Sequence, residues 1–74
     1  MSKLDLHGTR HSDVDRLVEN FVLLKEPPLT IVCGNSDKMI RLVRETLDRI
    51  YETHQIGWHL WNHNTYKILG DNKE

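Results

Sequence analysis

The sequence predicts a two-layer α/β domain (an α+β sandwich) with the order βαβαββ, in which a four-stranded mixed sheet carries both helices on one face. Three observations predict this class. An apolar run rich in β-branched residues, 29–33, lies between two segments of helical periodicity, as expected for the second strand of a βαβ unit. A short strand pattern, 3–7, precedes the first helix. Two alternating segments, 55–62 and 65–69, end the chain and predict an antiparallel hairpin.

The composition is typical of one small soluble domain. With 74 residues, a chain buries roughly 60% of its unfolded surface, so we expect a single domain with a thin core in 3–69 and a flexible tail at 70–74. The charged fraction of 28% and hydrophobic fraction of 38% fit a globular protein. No apolar run approaches the roughly 18 residues of a membrane helix, and no signal-peptide pattern is present. We therefore expect a cytoplasmic location and no membrane partner.

Cysteine content and net charge exclude several classes of protein. Cys33 is the single cysteine, which excludes an intramolecular disulfide, and the histidines lack zinc-ligand spacing, so we expect no metal site of that kind. The formal net charge of −1 is not the strongly basic balance of many nucleic-acid binders. Binding of nucleic acid would therefore depend on a local basic patch.

The first strand presents two polar side chains at its carboxyl end. Leu4 and Leu6 share one face of the predicted strand, while Asp5 and His7 share the other. Gly8 follows at once and allows a sharp turn close to a ligand. In open α/β sheets ligands bind at this end of the strands. A half-exposed strand whose polar side chains merely face solvent has the same pattern.

The first helix follows a short connection at 8–11. Ser12 is the predicted N-cap, and the prolines of 25–28 end the helix. Apolar residues recur at helical spacing and predict the face that packs on the sheet: Val14, Leu17, Val18, Phe21 and Val22.

The second helix begins after the turn 34–37 and is predicted to end near Thr53 or His54, with Ser36 or Asp37 as its cap. Its N-terminus points amide hydrogens toward the same edge as His7. The predicted buried stripe is Met39, Ile40, Val43, Leu47, Ile50 and Tyr51, and the cations around the first two turns are Lys38, Arg41 and Arg44. These cations are either phosphate contacts or an ordinary solvated face.

The hairpin contains both tryptophans, with opposite parity. Trp58 shares the parity of Ile56 and Leu60 and is the core candidate. Trp61 is then exposed on the open face of the sheet, where an aromatic ring can stack a base.

The residues Leu-Asp-Leu-His-Gly at 4–8 match the LDLHG signature of the Smr (small MutS-related) domain. The order βαβαββ and the glycine turn before the Ile-Arg pair at 40–41 are also similar to that family, and the resemblance covers about 3–69. The implied fold is similar to the C-terminal domain of bacterial translation initiation factor three.

Two family features differ in this chain. The second Smr motif, H-G-x-G, reads Cys-Gly-Asn-Ser here: Gly34 matches, Cys33 replaces the histidine and Ser36 replaces the second glycine. The glycine-rich turn of the last hairpin is replaced by Trp-Asn-His-Asn-Thr at 61–65. Cys33 either supplies a thiolate near the helix N-terminus or is a small buried hydrophobe.

The resemblance implies binding of RNA or structured DNA, and several family members are endonucleases. Asp5 and His7 are the candidate catalytic residues: an imidazole exchanges protons near neutral pH, and the carboxylate can orient it, hold a water or bind a divalent cation such as Mg²⁺. The candidate nucleic-acid-binding residues are Arg10, His11, Gly34, Asn35, Ser36, Lys38, Arg41 and Arg44. The alternative is a catalytically degenerate adaptor of the same fold that binds a protein or ribosomal partner.

Overall fold

The computed structural model describes residues 2–71 and confirms the βαβαββ order. The elements in chain order are β1 (Ser2–Asp5), α1 (His11–Leu24), β2 (Leu29–Val32), α2 (Asp37–His54), β3 (Ile56–Asn62) and β4 (Thr65–Asp71). The prediction of a tail at 70–74 is wrong for its first two residues, which pair within the sheet opposite Gly57 and Ile56. The rest of that predicted tail, 72–74, lies outside the described residues.

The four strands form one mixed sheet in the order β1-β2-β4-β3. β1 and β2 are parallel, whereas β4 runs antiparallel to both β2 and β3. Because β4 starts opposite the end of β2, with Thr65 paired to Val32, the β3–β4 turn lies at the carboxyl edge of β1 and β2. The backbone amide of Cys33 donates to the carbonyl of Asn64 at 2.8 Å and fixes that turn there.

Both helices pack on the same face of the sheet and share one core. Buried side chains of the two helices form a single cluster with alternate residues of the strands, including Leu29, Ile31, Tyr66 and Ile68. The Tyr66 hydroxyl donates to the carbonyl of Ile40 at 3.1 Å and ties β4 to α2. The alternate strand residues, which face away from the helices, form an uncovered sheet face.

Two positions of α2 differ from the predicted stripe. Tyr51 was expected in the core but is 47% exposed, whereas Thr46 is buried. Burial of Thr46 is possible because its hydroxyl lies 2.9 Å from an Asp15 carboxylate oxygen, so its polar group keeps a partner. Arg49 lies 2.8 Å from the same carboxylate, and this polar contact joins the two helices.

Of the predicted N-cap residues, the one for α1 is wrong and one of the two for α2 is confirmed. α1 begins at His11 with Arg10 as its N-cap and no side-chain cap, so the prediction of Ser12 as cap is wrong. For α2 the predicted Ser36 cap is confirmed, since its hydroxyl accepts from the Met39 amide at 3.1 Å. α2 ends at His54, within the predicted range.

The structure places the tryptophans as their parity predicts. Trp58 packs against the core and meets the ring of Tyr66 edge to face, with centroids 5.4 Å apart. Trp61 is 63% exposed. It lies at a register irregularity of β3, between Leu60 and Asn62.

Candidate functional site

Three turns and two helix starts meet at the carboxyl edge of β1 and β2. The β1–α1 turn closes with a bond from the Thr9 amide to the Leu6 carbonyl at 2.9 Å. The β2–α2 turn contains Gly34 and Asn35 and runs into the Ser36 cap. The β3–β4 turn joins them through Asn64, whose carbonyl accepts from the Cys33 amide. This edge holds most of the residues that the sequence predicted to be functional.

Asp5 and His7 differ from the predicted strand pair. The strand ends at Asp5, and His7 lies in the turn that follows. The Asp5 carboxylate accepts a hydrogen bond from the backbone amide of His7 at 3.0 Å, which is the geometry of an Asx-turn. The carboxylate therefore shapes the turn, and the exposed imidazole of His7 projects from it.

The His7 ring lies against the second turn. A Cβ atom at Gly34 would meet Cδ2 of His7 at 3.7 Å. Gly34 has φ of +80° and Gly8 has φ of +82°, a backbone region that glycine enters without steric cost. The two predicted motifs are thus brought together in space through backbone turns that glycine permits.

The N-terminus of α2 opens onto the same edge. Ser36 satisfies the Met39 amide, while the amides of the first helical residues, 37–38, have no intrahelical acceptor. Such amides, with the positive end of the helix dipole, favour an anion. Asn35 is exposed beside them.

Exposed cations surround this helix start without acidic partners. Among residues 2–71, the ion pairs involve Arg16, which pairs with Asp13 within α1, and Arg49, which pairs with carboxylates of α1 across the two helices. The remaining exposed cations of the two helix starts make no ion pair within that range: Arg10, Lys38, Arg41 and Arg44. Their positive charge is therefore available to a ligand.

The predicted binding residues do not all face the same way. At roughly 100° per residue, Lys38 and Arg41 are roughly 60° apart around α2, and Lys38 and Arg44 are roughly 120° apart. Arg44 lines a groove over β3 with Trp58, Leu60 and Tyr66. Lys38 and Arg41 are closer in sequence to the Ser36 cap than Arg44 is.

His11 belongs to a different surface. It lines a cavity of about 270 Å³ between the two helices together with Asp15, Glu45 and Arg49. The structure thus places this predicted phosphate contact beside carboxylates. Arg10, one residue earlier, caps α1 and is exposed at the edge.

Cys33 is a core residue. It is 2% exposed, and burial raises the pKa of its thiol to about 11. A thiol with that pKa is neutral at physiological pH and is a poor nucleophile or proton acceptor there. The structure thus favours the small buried hydrophobe over the thiolate, so Cys33 is not a candidate for proton transfer at this edge.

The edge does not build a cage for a divalent cation. No group of three or more His, Cys, Asp or Glu side chains in the described part of the chain is arranged to hold a metal ion. One carboxylate oxygen of the candidate ligand Asp5 already accepts a hydrogen bond from the His7 amide.

One contributor to this edge was missed by sequence reasoning. Asn64 places its carbonyl on the Cys33 amide, and its side chain accepts from Thr65 at 3.0 Å. The hairpin was predicted, but its position beside β2 depends on β4 inserting between β2 and β3. Strand parity alone gives no signal for that pairing.

Comparisons of the chain with protein-family models, with curated proteins and with solved structures find no significant match. The fold and the edge define an α+β domain with a basic helix start beside an exposed imidazole. Within residues 2–71, neither helix has the length and apolar character needed to cross a bilayer.

Proposed function

We propose that this chain is a nucleic-acid-binding domain of the Smr type that holds the phosphate backbone of RNA or structured DNA at the carboxyl edge of β1 and β2. The observation that carries the proposal is the exposure of Lys38 and Arg41 without acidic partners among residues 2–71, on the helix that starts beside His7 and Gly34. Phosphate is the anion that such cations and helix-start amides bind together.

A net charge of −1 does not oppose this proposal, because the acidic side chains are distributed unevenly. Asp13, Asp15 and Glu19 lie on α1 and pair with Arg16 or Arg49. Two guanidinium groups thus offset most of the charge of these three carboxylates. Among residues 2–71, the exposed carboxylates at the edge are Asp5 and Asp37, and three exposed cations lie near them. Because salt screens charges that are more than about 8 Å apart, this small local excess of positive charge affects a bound phosphate more than the net charge of the chain does.

A second candidate function is cleavage of the bound strand, and the exposed imidazole of His7 against Gly34 favours it. In that reaction His7 takes a proton from the attacking water as the new P–O bond forms, and the P–O bond to the leaving oxygen breaks. The leaving oxygen takes a proton from a solvent water, and the proton that His7 then returns to solvent neutralises the hydroxide left behind. Asp5 is bonded to the His7 amide and Cys33 is neutral. Among the described residues of the edge, His7 is then the one candidate proton-transfer group, and one such group typically accelerates a reaction by about 10²–10⁴-fold. Because a second group to protonate the leaving oxygen has not been identified there, binding is the better supported function.

The test of binding compares two double variants with the same change in charge. Lys38→Ala with Arg41→Ala removes the proposed phosphate contacts, whereas Arg16→Ala with Lys25→Ala removes two exposed cations of α1 and its C-terminal flank. Fluorescence anisotropy with labelled single-stranded, duplex and branched RNA and DNA measures affinity. We expect the first variant to lose affinity for every ligand that the wild type binds and the second to retain most of it.

Equal losses in the two variants would contradict this site, because the effect would then depend on net charge alone. Absence of binding by the wild type to all these ligands would contradict the function and would favour the adaptor. Cleavage is followed on denaturing gels in the same samples, and products that disappear in His7→Ala with binding retained would add the nuclease activity.

A further inference from the structure

The sheet face away from the helices carries a row of polar and basic side chains that crosses all four strands. Lys3 of β1 is paired with Thr30 of β2, which is paired with Lys67 of β4, which is paired with His59 of β3. Three strand spacings of about 4.8 Å make this row about 14 Å long. Of the side chains described on this face, one is acidic, Asp5, whose carboxylate is bonded to the His7 amide.

An exposed indole stands beside this row. Trp61 is 63% exposed, and the Lys67 ammonium lies 5.3 Å from the centroid of its ring. The His59 ring is 6.4 Å away, centroid to centroid. The ammonium is attracted to the face of the indole, and this contact favours the ring position that the structure shows.

Lys67 is fixed across the face of the sheet. Its Nζ lies 3.3 Å from the Thr30 hydroxyl, and Thr30 is only 9% exposed. The ammonium has three donors, of which the Thr30 hydroxyl takes one. The remaining donors are available for phosphate oxygens of a strand that passes over the row.

We infer that this open face binds a single-stranded segment of nucleic acid, with a base stacked on Trp61 and the backbone held by Lys67 and Lys3. Alternating stacking and cationic contacts on one surface are the mode by which proteins hold single strands. A duplex keeps its bases stacked inside and offers none to the indole. This inference rests on the proposed function, which supplies the class of ligand. It adds a second binding surface and a preference for single strands over duplex.

The open face continues into the edge already described. Trp61 comes three residues before Asn64, whose carbonyl is bonded to the Cys33 amide next to Gly34. A strand that stacks on Trp61 can therefore follow the β3–β4 turn toward His7. This path joins the two surfaces without a change in the fold.

The test uses oligo(dT) and oligo(U) of about 12 nucleotides, within the range of site sizes of single-strand binders, and a duplex of the same length. Trp58→Phe keeps an aromatic ring against Tyr66 and leaves Trp61 as the only indole. In this background we expect both single strands to quench the fluorescence of Trp61, and the duplex to quench it far less. A comparison of the two oligonucleotides reports any preference between DNA and RNA.

Affinity is then measured for Trp61→Ala, Trp61→Phe and Tyr51→Ala. Loss of a stacked base predicts a roughly 5- to 150-fold weaker affinity of Trp61→Ala for single strands. Trp61→Phe keeps a stacking surface and should recover most of that loss. Tyr51→Ala is the matched control, because Tyr51 is an exposed aromatic on α2, away from the open face, and it should bind like wild type.

Each outcome has one meaning. Wild-type affinity of Trp61→Ala for single strands, together with a loss in Lys38→Ala with Arg41→Ala, would overturn this inference and leave the proposed function intact. Equal quenching by the duplex would also overturn it. If wild type binds branched ligands but not single strands, this inference is wrong and the proposed function stands. If wild type binds no single-stranded, duplex or branched ligand, both proposals are wrong.

Discussion

A Cβ atom on Gly34 would lie 3.7 Å from Cδ2 of His7, so the turns after β1 and β2 are in contact. This contact unites the two segments that the sequence singled out, which are separated by the whole of α1. It also places the exposed imidazole beside the start of α2, where Lys38 and Arg41 are exposed.

Substitution of Gly8 and of Gly34 by alanine distinguishes the cost of a left-handed backbone from the cost of a side-chain contact. Gly8 and Gly34 have nearly the same φ, +82° and +80°, but a Cβ at Gly8 would meet no atom within 4 Å. Since 3.7 Å is an ordinary van der Waals distance, we expect Gly34→Ala and Gly8→Ala to lose similar stability, about 1–2 kcal/mol from the left-handed backbone. Urea unfolding measures both. A loss several-fold larger in Gly34→Ala would mean that His7 packs more tightly than the structure shows.

Two serines test the helix starts. Ser36 accepts a bond from the Met39 amide, whereas Ser12 lies inside the first turn of α1, which has no side-chain cap. We expect Ser36→Ala to lower the free energy of unfolding by about 1 kcal/mol and Ser12→Ala to change it little. Thermal or urea unfolding of the two variants checks this, and the reverse order would contradict the assignment of the caps.

Cys33 should be unreactive in the folded protein. Burial raises the pKa of its thiol to about 11, so the reactive thiolate is scarce at pH 8 and the sulfur is shielded. We expect iodoacetamide to label Cys33 slowly in native protein and quickly in urea, as followed by mass spectrometry. Rapid stoichiometric labelling of native protein at neutral pH would contradict this and would support a reactive Cys33 thiolate at the edge.

The contact between the helices should weaken in acid. A hydrogen bond from Arg49 holds the pKa of Asp15 below its usual range. A depressed pKa contributes stability that is present above the unfolded value of about 3.9 and is lost as pH falls through the folded value. Both side chains are more than 40% exposed, so solvent screening limits the contribution to about 0.2–1 kcal/mol.

The check compares wild type with Arg49→Ala in urea unfolding at several pH values. The difference in the free energy of unfolding should be present at about pH 6, begin to shrink below about pH 4, and disappear only once the pH has fallen through the lowered pKa of Asp15 in the folded wild type. Arg44→Ala serves as control, because Arg44 makes no ion pair among residues 2–71. A difference that is constant down to low pH would show that Arg49 acts through packing.

Local patterns in the sequence were sufficient for the element order and for most of the core. Alternation predicted the environments of Trp58 and Trp61, and helical spacing predicted Val14 and Val18. Thr46 was missed because a hydroxyl is a polar group in the helical pattern. In the structure it is buried with two acceptors in reach, the Leu42 carbonyl one turn earlier and the Asp15 carboxylate on the other helix.

The open face could not be predicted in full for a similar reason. Parity placed Trp61 on that face, but the row from Lys3 to His59 depends on β4 lying between β2 and β3. Pairing of Thr30 with Lys67 joins residues far apart in sequence, and nothing local specifies it. The turn at His7, after β1, could not be predicted either. The backbone amide of His7 donates its hydrogen bond to the Asp5 carboxylate rather than to a neighbouring strand.

The central claim is that Lys38 and Arg41 bind phosphates, and the salt dependence of affinity tests it most directly. Each phosphate contact on duplex DNA contributes about 0.9 to the slope of log affinity against log salt concentration. We expect Lys38→Ala with Arg41→Ala to reduce the magnitude of that slope by about 1–2 relative to wild type, while Arg16→Ala with Lys25→Ala leaves it unchanged. An unchanged slope in the first variant would contradict the assignment of these two cations to the phosphate backbone.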